Sequence, residues 1–211
     1  SYNLFIGGHA GKAATSGTSN TFIGGKVGRT TTTGGNNTIV GSQSSYNQNA
    51  TCSNTTTLGS QAGYSITSGS ANLAIGYRAL YSTSSGNYNV AIGHQSLYYQ
   101  NNYYSVAIGY QALYSSNTNH NSSVAVGYRA AYGYRGEMAL AFGYYALYSS
   151  QTTGNIGFGY NAAYQVTTGQ GNIGIGNSTL TVTTTGEYNT AIGACAGQSL
   201  NSDKSYNLFI G

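Results

Sequence analysis

The sequence predicts an all-β fold, a parallel β-solenoid of about 12 coils of ~17 residues, and three observations carry that prediction. One glycine recurs at near-constant spacing along the chain, the residue before it is apolar in every copy, and a turn signal follows most copies.

The glycine sets the frame. It stands at Gly7, Gly24, Gly41, Gly59, Gly76, Gly93, Gly109, Gly127, Gly143, Gly159, Gly176, Gly193 and Gly211, at intervals of 16 to 18 residues. Twelve steps cover 204 residues, a mean of 17. A fixed period of this length marks stacked units, none of which can bury its own apolar face alone. It also answers the reading of polar, glycine-rich sequence as disorder.

The strand comes next. Around each marker glycine the phrase is Asn, then a β-branched residue or Leu, a small residue, an aliphatic and Gly, as in Asn72-Leu73-Ala74-Ile75-Gly76. The residue before the marker is apolar in all 13 copies, from Ile6 to Ile210, which predicts a buried ladder. Turn signals such as Ser16-Gly17, Thr33-Gly34, Ser85-Gly86 and Thr168-Gly169 close the coil. The segments between are too short for helices and rich in β-branched residues, so each coil is expected to run strand, bend, strand, loop. Length variation falls between the Tyr position and the next Asn, so one loop edge absorbs insertions while the strand keeps register.

Side-chain volumes then predict what packs on what. Phe5, Phe22 and Ile39, two residues before the marker, go with Gly11, Gly28 and Ser45, four residues after it. In later coils Ala74, Ala91 and Ala107 go with Leu80, Leu97 and Leu113. Large with small becomes small with large, as expected of two positions sharing one close-packed space. Ala191 with Gly197 breaks the pattern. The residues one and three before the marker lie on the opposite face of a regular strand and are also apolar, such as Val90 and Ile92. A strand apolar on both faces needs a further layer outside it. Association of several chains along their length is the expected source of that layer.

Composition bounds the function. The 211 residues include no Pro and no Trp, 32 Gly and 22 Tyr, and 5% are charged, against about 25% in a typical soluble domain. The net charge of +4 comes from scattered Lys and Arg, without the massed basic face that nucleic-acid binding needs. No run approaches the ~18 apolar residues of a membrane span, and the first residues lack a signal peptide's basic start and apolar run. The chain is read as a single repeat array, 1–211, beginning and ending inside a repeat and so a fragment of a longer fibrous chain. Ser1-Tyr2-Asn3-Leu4-Phe5-Ile6-Gly7 recurs unchanged as Ser205-Tyr206-Asn207-Leu208-Phe209-Ile210-Gly211, 204 residues on, which suggests a super-repeat in the parent.

Two tyrosine ladders are the candidate site. Five residues after the marker stand Tyr46, Tyr64, Tyr81, Tyr98, Tyr114, Tyr132, Tyr148 and Tyr164. One residue after it stand Tyr77, Tyr110, Tyr128, Tyr144 and Tyr160, with His94 in the missing rung. Rings one strand spacing apart stabilise a solenoid by stacking; exposed, they form a stripe for sugars or other polar surfaces. Both roles stay open at this point.

Catalysis has little to stand on. Glu137, Glu187 and Asp203 lie in different coils, and His9, His94 and His120 have no partnering pattern, so no catalytic residue, metal or cofactor is expected. Gly24-Gly25-Lys26-Val27-Gly28 looks like a phosphate loop but lacks the strand, loop and long helix that give such a motif meaning. Cys52 and Cys195 fall in coils three and twelve, too far apart for a disulfide.

The phrases Asn89-Val90-Ala91-Ile92-Gly93, Ser105-Val106-Ala107-Ile108-Gly109, Ser123-Val124-Ala125-Val126-Gly127 and Asn189-Thr190-Ala191-Ile192-Gly193 resemble the inner-strand motif of trimeric autotransporter adhesin heads, the YadA-like β-roll, and repeats of phage tail-fibre-like proteins. The resemblance covers the whole chain, although the ~17-residue unit is longer and the Tyr content higher than in the adhesin heads. It implies a left-handed β-roll, three chains wide, displayed extracellularly on a cell surface or virion and binding a cell-surface, matrix or carbohydrate ligand. The expected function is a structural and surface-binding fibre segment, not an enzyme, acting as a homotrimer without nucleic acid or a membrane span. The alternatives are a plain extracellular filament and, less favoured because Thr clusters in the turns, a monomeric ice- or surface-binding solenoid.

Overall fold

Three residues per coil meet the conditions for a strand, the three before each marker glycine. The computed structural model describes residues 2–48, 51–99, 103–115, 121–198 and 203–211, in two compact units, Ser1–Ser105 and Val106–Gly211. The first unit holds β1 (Leu4–Ile6), β2 (Thr21–Ile23), β3 (Thr38–Val40), β4 (Thr56–Leu58), β5 (Leu73–Ile75) and β6 (Val90–Ile92). The second holds β7 (Val106–Ile108), β8 (Val124–Val126), β9 (Leu140–Phe142), β10 (Ile156–Phe158), β11 (Ile173–Ile175), β12 (Thr190–Ile192) and β13 (Leu208–Ile210).

Within each unit, consecutive strands pair in parallel and equal repeat positions face each other, as in Phe5↔Phe22 and Ala125↔Ala141. The fold is an all-β parallel β-solenoid. Among the described residues no helix is long and apolar enough to cross a membrane.

Among the described residues each coil has one strand, not the two expected. The residues two and four after the marker have positive φ, for example Arg78 at 53° and Leu80 at 54°, which ends any extended run. The backbone is still satisfied between coils. Arg78 N–H donates to Ser60 O at 3.1 Å in one neighbouring coil and Leu80 N–H to Ser96 O at 3.0 Å in the other. The second half of the coil is a stack of turns whose amides point alternately up and down the axis.

The marker must be glycine for two reasons that Gly127 shows. Its φ is +137°, and a Cβ there would lie 2.3 Å from the carbonyl oxygen of Gly143, the next marker. Coils stack at backbone contact along this line, so no side chain fits.

Alternation along the strand points the middle residue inward and its neighbours outward. Phe22, Ile39, Ala74, Ala91, Ala125 and Ala141 are fully buried. The shared inner space is real: a Cβ on Gly28 would lie 2.7 Å from the Phe22 ring, and one on Gly11 2.9 Å from that of Phe5. Where the strand residue is Ala, a buried Leu takes the room, as Leu80 and Leu97 do. Left-handed backbone costs a non-glycine residue about 1–2 kcal/mol, which burial of a Leu, about 1.5–3 kcal/mol, offsets. The exception at Gly197 now has a cause. A Cβ there would meet Leu180 Cδ2 at 2.9 Å and Phe209 Cδ2 at 3.1 Å, so the neighbouring coils fill the space.

A column of asparagines four residues before the marker braces the strand entry. Asn172 is fully buried; its Oδ1 accepts from Asn189 N–H at 3.0 Å and its Nδ2 donates to Gly186 O at 2.8 Å. The same bonds join Asn20 to Asn37 and Gly34 in the first unit. Each amide satisfies a backbone donor and a backbone acceptor of the next coil, as buried polar groups require.

The residues one and three before the marker point outward and are half-buried to exposed. They are not the buried ladder expected for the residue before the marker, because alternation turns them away from the single inner face. Each unit therefore carries two outward columns, largely aliphatic, such as Leu73 with Ile75 and Ile173 with Ile175.

Candidate functional site

Both tyrosine positions are placed by turns. The residue after the marker leaves the strand outward, and the residue five after it follows the left-handed corner, so each recurs once per coil on the outer surface. Ring spacing is then set by the coil rise, ~4.8 Å.

In the second unit the outer column runs Tyr110–Tyr128 at 5.1 Å and 8°, Tyr128–Tyr144 at 4.9 Å and 10°, and Tyr144–Tyr160 at 5.2 Å and 6° between ring centroids and planes. The second column runs Tyr114–Tyr132, Tyr132–Tyr148 and Tyr148–Tyr164 at 5.0, 5.2 and 5.1 Å, with planes within 6°. In the first unit Tyr46, Tyr64, Tyr81 and Tyr98 stack at 5.0–5.2 Å. There His94 continues from Tyr77 at 5.1 Å but tilts by 37°. His120 lies outside the described residues.

Arginines bind the columns together. Arg78 Cζ lies 5.0 Å from the Tyr77 ring and 5.2 Å from that of Tyr81, and Nε donates to Gln61 Oε1 at 2.7 Å. Arg129 spans Tyr110, Tyr128 and Tyr132 at 5.8, 5.4 and 5.2 Å, and donates from Nη1 to the Tyr145 hydroxyl at 3.4 Å. Arg29 donates to the Tyr46 hydroxyl. Such cation–π contacts at partly exposed sites contribute about 0.5–1 kcal/mol each. Three of the four arginines that look scattered in the sequence, Arg29, Arg78 and Arg129, are thus spent on the ladders.

Stacking decides what the columns present. With planes nearly parallel at about 5 Å, each inner ring face is covered by its neighbour, and outward there remain ring edges and a row of hydroxyls, one per coil. Burial first, then the neighbouring phenols of Tyr81 and Tyr46, holds Tyr64 above the ordinary tyrosine value. Tyr144 is raised by burial first, then by its hydrogen bond with Tyr145 and by the neighbouring phenols.

A third column escapes sequence reasoning, at the residue before the Asn position. Tyr88–Tyr104 stack at 5.2 Å and 2°, and Tyr188–Tyr206 at 5.3 Å and 21°. Its signal, Tyr next to Asn or Ser, is present but interrupted by other residues in most coils. The outward aliphatic columns are thereby flanked by tyrosine in part, by residues such as Tyr88 and Tyr188 at one edge and Tyr77, Tyr128 and Tyr144 at the other.

Cys52 is buried and Cys195 exposed, and both are free thiols. Among the described residues no three His, Cys, Asp or Glu side chains gather as a metal site would require. Gly24-Gly25-Lys26-Val27-Gly28 is a marker and turn, with no helix after it. No family model, curated protein or solved structure matches this chain.

Proposed function

We propose that the chain is a structural and surface-binding segment of an extracellular fibre, of the adhesin or tail-fibre kind, whose copies associate lengthwise as a homotrimer. The observation that carries this reading is the outward strand face. Apolar pairs such as Val106 with Ile108, Ile156 with Phe158 and Ile173 with Ile175 stand half-buried to exposed, and tyrosines such as Tyr110 and Tyr160 border the first two. An apolar centre with an amphipathic aromatic rim is the composition of a protein interface. The motif resemblance supplies the count of three and the placement on a cell surface or virion.

The test is mass in solution. Sedimentation equilibrium of the chain should return three copies, and the double variant I156E/I173E should return single chains with an unchanged far-ultraviolet circular dichroism spectrum. A chain that stays single at its highest soluble concentration refutes the reading.

A second reading, a plain filament without a ligand, is favoured by the covered ring faces of the tyrosine stacks. Binding to matrix or glycan arrays separates the two, with Tyr128→Ala as the control that should lose a genuine signal. An ordered-surface binder is supported less, since the outward Thr column Thr21, Thr38, Thr56 gives way to Leu73 after three coils.

A further inference from the structure

The outer column of the second unit sets four exposed phenols one above another. Tyr110, Tyr128, Tyr144 and Tyr160 are 37%, 36%, 42% and 50% exposed, and successive centroids lie 5.1, 4.9 and 5.2 Å apart. Because the planes are parallel within 10° and each ring hangs from the same repeat position, equivalent ring carbons are about one centroid separation apart. Tyr145 meets Tyr128 and Tyr144 edge-on at 5.5 and 4.4 Å and meets Tyr148 at 5.0 Å, so the column joins a continuous phenol cluster. The chain has no Trp, one Met and two Cys, of which Cys195 is an exposed free thiol, so its 22 tyrosines are by far the most numerous oxidisable side chains.

We propose that this column is an oxidative cross-linking site, at which a haem peroxidase with hydrogen peroxide joins the phenols of successive coils as dityrosine. Each of two neighbouring phenols loses one electron and its hydroxyl proton. The two phenoxyl radicals couple through the ring carbons next to oxygen, forming one C–C bond. The hydrogens displaced from those carbons move to the oxygens and restore two phenols. In all, two C–H bonds break, two electrons and two protons leave the protein, and one hydrogen peroxide is reduced to two waters.

Coupling needs the rings to tilt out of the stack until two edges meet. An exposed side chain can do this by rotating about its own bonds, whereas the half-buried column Tyr114, Tyr132, Tyr148, Tyr164 is held by its surroundings. The product is a covalent tie between residues 16 to 18 apart in sequence, one coil to the next. It holds whether or not the fibre reading is right, since the column lies within one chain.

The experiment treats the full chain with horseradish peroxidase and hydrogen peroxide, then reads dityrosine fluorescence, denaturing gel mobility and the cross-linked peptides by mass spectrometry. Expected are Tyr110–Tyr128, Tyr128–Tyr144 and Tyr144–Tyr160 links in a product of single-chain mass, at a rate per chain independent of protein concentration. In urea these links should be lost. Y128F/Y144F keeps the stacked rings but removes the phenols between the ends, so the column's links should fall to background with circular dichroism unchanged. Absence of dityrosine in the folded chain, links chiefly between chains or in the half-buried column, or equal yield in urea overturns the proposal.

Discussion

Exchanging the large and small partners of one coil should show that the inner space is shared. The perturbation is Phe22→Ala with Gly28→Leu, which gives the second coil the pair that the fifth has in Ala74 and Leu80. Phe22→Ala alone removes a fully buried ring and should cost about 3–5 kcal/mol. Gly28→Leu alone drives its first carbon to 2.7 Å from that ring, an overpacking cost of about 1–3 kcal/mol, and adds left-handed strain of about 1–2 kcal/mol. Together the clash and the cavity both vanish. What remains is the strain plus the lost stacking on Phe5, whose ring lies 4.9 Å from Phe22, about 0.5–1.5 kcal/mol. The double variant should therefore cost only about 2–3 kcal/mol, with a favourable coupling of roughly 5 kcal/mol at the midpoints of these ranges, above the ~0.5–3 kcal/mol usual for contacting residues. The assay is guanidinium unfolding of the four chains of the cycle, followed by circular dichroism. Costs that add within about 0.5 kcal/mol, as they do for independent sites, would refute the shared space.

Two further outcomes follow from single residues. Asn172→Ala leaves the amide of Asn189 and the carbonyl of Gly186 without their partner, so a loss of about 2–5 kcal/mol is expected, and Asn172→Ser should lose less. Ser keeps an acceptor, as Ser123 does when its Oγ accepts from Ala139 N–H at 3.1 Å; equal losses in denaturant melts would sink this account of the column. Tyr134 is fully buried, its hydroxyl donates to Glu137 O at 2.8 Å, and burial raises its ionisation well above the usual tyrosine value. Its folded value lies above its unfolded one, about 10, so its contribution is whole below that pH and is lost as pH rises through the folded value. Ultraviolet phenolate titration should show a separate late step for Tyr134 that coincides with unfolding. One reversible transition for all tyrosines would count against it.

Much of the fold was legible because the period is a one-dimensional quantity. The marker glycines, the strand beside them, the parallel stacking and the paired volumes at Phe22 and Gly28 all follow from spacing and size. The tyrosine columns were legible for the same reason. Other features were not. Positive φ at Arg78 and Leu80 leaves no trace in residue type, since Leu and Arg are poor left-handed residues, and so the second half of the coil looked like strand. The third tyrosine column was hidden by its gaps.

What the sequence by itself determined is the repeat and its register, because a residue that recurs every coil must meet its own copies when coils stack. Which face of each strand is inside was decided only by the tertiary structure. Phe22 and Ile23 are both apolar, and only the turn after Gly24, with left-handed corners at Lys26 and Gly28, brings the chain back over Phe22 rather than Ile23. The same closure decides what the tyrosines can offer. Residue type supplies a flat apolar ring in each coil, but the coil rise brings the next ring within stacking distance, and that covers the faces and leaves edges and hydroxyls outward.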